Sequence, residues 1–183
     1  MSFFAETFQS DRTATLADRD LADAWAGRLP EELLELWRTY GIGPVGDGLL
    51  VLIDPDGLKG EAAAWAEKVG RLTPFLQTAF LDLFAWDGEQ VWTIDVHDGE
   101  ARPTGLDMEG FLEFYLTQEE VAKTVLRRPL WEQARVELGD PAPGEGFIFV
   151  PALCLGGEEA LAHVRRAQSP EALSILRNLH GMA

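Results

Sequence analysis

Cysteine and histidine, the usual thiol nucleophile and imidazole base, are few in this chain of 183 residues. The thiol is Cys154 alone, and the imidazoles are His97, His163 and His180. Cys154 lies in the apolar run 147–155, where a free cysteine is expected to be buried as a small hydrophobe rather than exposed as a thiolate. One cysteine and scattered histidines give no disulfide framework and no metal-ligand spacing. Asp54-x-Asp56-Gly57 begins like a calcium loop. The position that needs a bidentate glutamate is Trp65, so the segment reads as a turn. Glycines 41, 43, 46 and 48 precede a strand-like run, with no Lys-Ser/Thr pair, which marks a loop and not a phosphate cradle. No Gly-x-Ser-x-Gly elbow occurs. Among 31 acidic residues any two carboxylates can meet by chance, so acid pairs say nothing about glycoside chemistry. The six tryptophans stand at helical or strand spacing beside other apolar residues, as core residues do. The expectation is a protein with no catalytic residues, no metal and no cofactor, and not an enzyme.

Charge is more informative. The net charge of −16 repels nucleic-acid phosphates and anionic lipid, and favours a basic protein partner. The excess is concentrated in residues 82–120, which hold eleven acids against the single base Arg102. Asp82, Asp87, Glu89, Asp95, Asp98 and Glu100 are the candidate partner-binding residues, on a face that steers a basic partner to its site. A merely solvated face is the alternative for such a run. No apolar stretch approaches the ~18–20 residues of a membrane span. The N-terminus lacks the basic segment of a secretory leader, so a cytoplasmic protein is expected.

The elements that must position these acids are readable from period and turn residues. Asp20–Leu29 carries a helical stripe of Leu21, Ala24, Trp25 and Leu29. Pro30 opens a second helix with Leu33, Leu34, Trp37 and Tyr40 on its buried face, ending at Gly41. Residues 49–53 read as a short strand, and 60–69 as a helix. Two β-rich runs, 78–86 and 90–96, flank Asp87-Gly88, a strong hairpin signal. His97-Asp98-Gly99 leads into a strand over 100–103. Asp107 caps a helix with Phe111, Leu112, Phe114 and Tyr115, residues 118–126 continue it, and Pro129 opens another. A strand over 147–153 precedes helices over 158–166 and 169–180, and Val150–Leu153 is expected to be buried. Helices, then a meander, then helices indicate α+β: a central antiparallel sheet with helices packed around it in a single body.

Two stretches resemble a known family. Leu29-Pro30, Leu33, Trp37, Tyr40-Gly41, Gly46-Asp47-Gly48-Leu49 and Ile53-Asp54-Pro55, continued by Thr78-Ala79-Phe80, Asp82-Leu83-Phe84 and Trp86, resemble the GAD-like region of bacterial immunity proteins. Phe147-x-Phe-Val-Pro-Ala-Leu-x-Leu-Gly-Gly157, with Leu161 and the Leu173–Leu179 helix, resembles the C-terminal region of the same proteins. These are the type VI secretion immunity proteins that neutralise a DNase effector. The resemblance implies a GAD-like region over 1–106 and a C-terminal region over 107–183 sharing one core. It also implies a non-catalytic antitoxin whose partner is a cognate toxin with a basic surface, a nuclease. The other reading is an orphan regulatory or ligand-binding module of the same fold with no toxin partner.

Overall fold

The structure, a computed structural model, describes residues 2–10, 12–57, 65 and 72–181. Short polar turns between apolar runs fold the middle of the chain into an antiparallel meander. Its strands are β1 (Gly43–Val45), β2 (Leu50–Leu52), β3 (Thr73–Thr78), β4 (Leu83–Trp86), β5 (Val91–Asp95) and β6 (Glu100–Pro103), paired in sequence order. Aspartate builds two of the turns in the same way. Asp87 Oδ1 accepts from the backbone N–H groups of Glu89 and Gln90, and Asp95 Oδ1 from those of His97 and Asp98. A side chain that bonds its own backbone two residues on fixes a turn locally.

Because strand side chains alternate, register decides what each face carries. Val51, Gln77, Leu83, Ile94 and Ala101 stand opposite one another across five strands. This face is covered by Ala172, Leu173 and Leu176 of the C-terminal helix Ser169–Leu179, together with Ile148 and Ala167. Leu50, Leu52, Leu76 and Phe84 belong to the other core, with residues of α1 (Phe3–Thr7), α2 (Leu16–Ala24) and α3 (Glu31–Tyr40). The π-helical segment Gly110–Tyr115 adds Phe111 and Leu112. After α4 (Glu119–Thr124), α5 (Arg128–Leu138) adds Trp131 and Ala134, and Ser169–Leu179 is α6. The α+β architecture is thus the one the patterning implied, with α1 packed in one core and α6 in the other, on opposite faces of the sheet.

Several expected elements differ. The run 78–86 is two strands, because the chain turns at Ala79–Phe80, with Leu81 at φ 70°. Thr78 Oγ1 accepts from the N–H groups of Phe80 and Asp82. The turn is buried against Phe147 and Phe149, so it carries apolar residues in place of polar turn residues. Strand β3 was hidden by Pro74, which sits at the start of a bulge where a missing N–H is tolerated. Helix α2 starts earlier than expected, at Leu16, where Thr15 and Asp18 form a reciprocal capping box, and ends at Ala24.

Residues 158–166 hold only the single 3-10 turn Leu161–His163 in place of the expected helix. Val164–Gln168 is a strand, β8, paired with β7 (Glu145–Phe149), and it buries Val164 while Arg165 and Arg166 face solvent. β7 stops at Phe149, so beyond it Val150 is 48% and Leu155 63% exposed, and Cys154 is exposed instead of buried. Only Ala152 and, in part, Leu153 pack inward. The helix expected over 60–69 lies outside the described residues except for Trp65. Gly146 allows β7 to approach the 79–81 turn: a Cβ there would meet Leu81 Cδ2 at 2.2 Å, and Phe147 N–H donates to Ala79 O at 2.8 Å.

Helix α6 offers a direct test of the packing. Leu173→Ala should cost about 2–5 kcal/mol in urea denaturation. Ile175→Ala, on the exposed side of the same helix, should stay within about 0.5 kcal/mol.

Candidate functional site

The six candidate carboxylates do not converge on one surface. Asp87 and Glu89 are exposed on the β4–β5 turn, and Asp98 and Glu100 are exposed at the β5–β6 turn. The five residues of β5 separate these ends by about 16 Å. Asp82 corrects the expectation of an exposed acidic strand, because it is only 5% exposed. It follows the buried 79–81 turn, and a carboxylate in that position needs an internal partner.

That partner is Arg127, which spacing alone had not marked. It precedes α5 in a left-handed conformation, φ 49°, and its side chain is 6% exposed. Nη1 donates to Asp82 Oδ2, Nη2 to Asp95 Oδ2 at 3.4 Å, and Nε to Glu159 Oε1 at 2.8 Å. The guanidinium carbon lies 5.9 Å from the ring centres of both Phe80 and Phe149. Asp82 Oδ1 accepts from Val96 N–H at 3.0 Å, so the carboxylate ties the β5–β6 turn to the same hub.

His97 sits beside it, 1% exposed. Its Nε2 lies 2.8 Å from Phe80 O, and a carbonyl only accepts, so Nε2 carries the proton. Nδ1 faces no partner, which suits the bare nitrogen of a neutral ring. Burial, aided by the Arg127 charge, holds His97 down at about 4. Burial pushes the Asp82 carboxyl up to about 7 against the pull of Arg127. Burial also works against the charged form of Arg127, but Asp82, Asp95 and Glu159 outweigh it and raise its pKa. A sealed, neutral histidine and a saturated arginine reach no substrate. Their chemistry is to lock the turns.

The regions joined by this hub are the two that the comparisons distinguish. Residues 1–98 match the family model of the GAD-like domain. Residues 106–180 match the model described as T6SS immunity protein Tdi1, C-terminal. The chain is a GAD-like protein of the type VI secretion system immunity family. Asp82 and Asp95 of this immunity-family protein come from the GAD-like match, and Arg127 and Glu159 from the C-terminal one. No curated protein matches its sequence. Among solved structures, the crystal structure of Atu4351 from Agrobacterium tumefaciens is similar in fold, with a TM-score of 0.75 and 15% identity. That similarity covers 95% of this chain and 86% of the other.

A second feature of the immunity-family fold is a cleft of about 1040 Å³ between the β1–β2 end of the sheet, the loop 140–145 and the start of α6. At its base the buried Gln77 amide donates to Ser169 Oγ at 3.1 Å. No group of three or more His, Cys, Asp or Glu able to hold a metal occurs among the described residues.

Arg127→Met should cost about 3–5 kcal/mol of stability in denaturant titrations, because it strands Asp82 in the interior. The hub also sets pH dependence. An unfolded chain protonates His97 near 6.5 but the folded one only near 4, so this contribution falls as pH drops between those values. Asp82 takes up its proton near 7 when folded and near 3.8 when unfolded, so its contribution grows over the same descent. Asp82→Asn removes the second effect. Stability of this variant, followed by thermal melts from pH 6.5 to 4, should therefore drop more steeply than that of the wild type.

Proposed function

We propose that this protein is a non-catalytic antitoxin that binds a cognate type VI effector and blocks its active site, and that the effector is a nuclease. The supporting observation is the β5–β6 turn, where the exposed Asp98 and Glu100 project beside Asp95, itself held in a hub of one guanidinium and three carboxylates. A nuclease cleft is basic because it must hold a polyanion, and a rigid negative turn is complementary to it. Asp82 contributes from beneath, by fixing the turn, and not by contact. Asp87 and Glu89, at the far end of β5, would add to the long-range field. Protecting the cell's own DNA places the protein in the cytoplasm, with no direct contact to nucleic acid or membrane. Residues 1–106 and 107–183 would then act as one binding body.

A second reading has its own observation. The cleft floored by Gln77 and Ser169 is as large as the upper range of small-molecule sites, which suits an orphan ligand-binding module.

Charge reversal separates the two. The double variant Asp98→Lys, Glu100→Lys should associate with the cognate effector about tenfold more slowly at low salt, with dissociation little changed. Raising salt to physiological strength, where the screening length is about 8 Å, should narrow the difference. Surface-kinetics measurements giving wild-type association in the double variant would remove the acidic turn from the interface.

A further inference from the structure

The loop that follows β7 exposes apolar side chains that neither core uses. Val150 is 48% and Leu155 63% exposed, with Pro151 exposed between them, while Ala152 and Leu153 point back into the protein. A lone surface leucine needs no explanation, but two large apolar residues and a proline in one short loop do.

The loop is also held rigidly. Val150 N–H donates to His163 O at 2.8 Å, and Leu155 N–H to Ala152 O at 2.9 Å. Gly156 N–H donates to Leu153 O and Gly157 N–H to Ala152 O, each at 3.0 Å. Glu158 N–H closes the segment on His163 Nδ1 at 3.0 Å. At Gly157 the backbone packs so closely that a Cβ would lie 2.0 Å from Pro151 O. A loop fixed in this way loses little freedom on binding.

Its surroundings state what it fits. Phe149, next to Val150, has its ring 4.9 Å from that of His97, which stands next to the exposed Asp98. On the other side follow Glu158, which is exposed, and Glu159, 47% exposed and bonded to Arg127. Two cations stand in the same surroundings: Arg127, held by its carboxylates, and Arg165 of β8, whose guanidinium is turned onto the Ala162 and Val164 carbonyls at 2.8 and 2.7 Å. The apolar loop is thus flanked by exposed carboxylates, Glu158 just after it in the chain and Asp98 beside the ring that Phe149 touches, the composition of an interface anchor with a polar rim.

We infer that the 150–157 loop is the anchor of the interface: Leu155 and Val150 insert into a shallow apolar pocket of the effector, and lysines or arginines around that pocket meet Asp98, Glu158 and Glu159. This rests on the antitoxin reading and adds a division of labour to it. The carboxylates govern encounter, and the apolar loop governs how long the complex lasts.

The test uses the 183-residue chain against the purified cognate nuclease effector. Leu155→Glu and Val150→Asp should each raise the dissociation rate at least tenfold with association within about threefold of wild type. Val136→Glu, at a 90% exposed position on α5, is the control and should change neither rate by more than twofold. Thermal midpoints of all three should match the wild type, since both loop side chains face solvent. Wild-type dissociation in both loop variants would overturn the inference and leave the antitoxin reading standing. A wild-type dimer in gel filtration that Leu155→Glu dissolves, with effector binding unchanged, would assign the loop to self-association and also overturn it. A wild-type protein that fails to bind the effector at all would remove the antitoxin reading, and the inference with it.

Discussion

A guanidinium excluded from water has to be matched by acceptors, and that requirement fixes the arrangement of this fold. Arg127 finds its three carboxylates on two widely separated stretches of chain, Asp82 and Asp95 on one side and Glu159 on the other. Apolar packing alone tolerates small slides of one layer over another, since hydrophobic contacts are not directional. A charged fork with three partners does not, because any slide leaves a buried charge uncompensated. The meander and the C-terminal layer are therefore held at one relative position, and the turns nearest the hub inherit that rigidity.

The hub is arranged so that its own polarity stays hidden. Phe80 and Phe149 flank the guanidinium, and His97 is kept neutral, its Nε2–H donating to the Phe80 carbonyl. What reaches solvent is the outer rim: Asp98, Glu100, Glu158 and the apolar loop beyond β7. The residues that hold the structure together are thus distinct from the exposed rim of the same neighbourhood. Rim residues can be exchanged without repacking either core.

Much of the fold was legible because its turns are made by local chemistry. Asp87-Gly88 and His97-Asp98-Gly99 announce two hairpins, and Ser169-Pro170-Glu171 announces α6, since in each case the deciding bonds or φ angles lie within a few residues. The 79–82 turn was not legible, because it is buried and its residues are chosen for packing against β7. Strand β8 was missed for a related reason: Val164–Gln168 is a strand because β7 needs a partner, and five residues with two arginines do not state that locally. Arg127 was invisible to spacing, as its partners lie 45, 32 and 32 positions away. The acidic bias was legible as a composition, but which acids face outward depended on that same distant arginine.

Strand β6 lies at an end of the six-stranded sheet, and among the described residues its outer side has no neighbouring strand. Glu100 and Arg102, paired with each other, stand on it, and Pro103 ends it without an N–H to offer. Charges and proline at such a position discourage another chain from adding itself to the ladder. Glu100 therefore guards the sheet edge against copies of its own chain, apart from the partner contact proposed for it. Sequence drift that traded its charge for an apolar side chain, even in the service of a new partner, would open an unguarded seam along which fibrils begin.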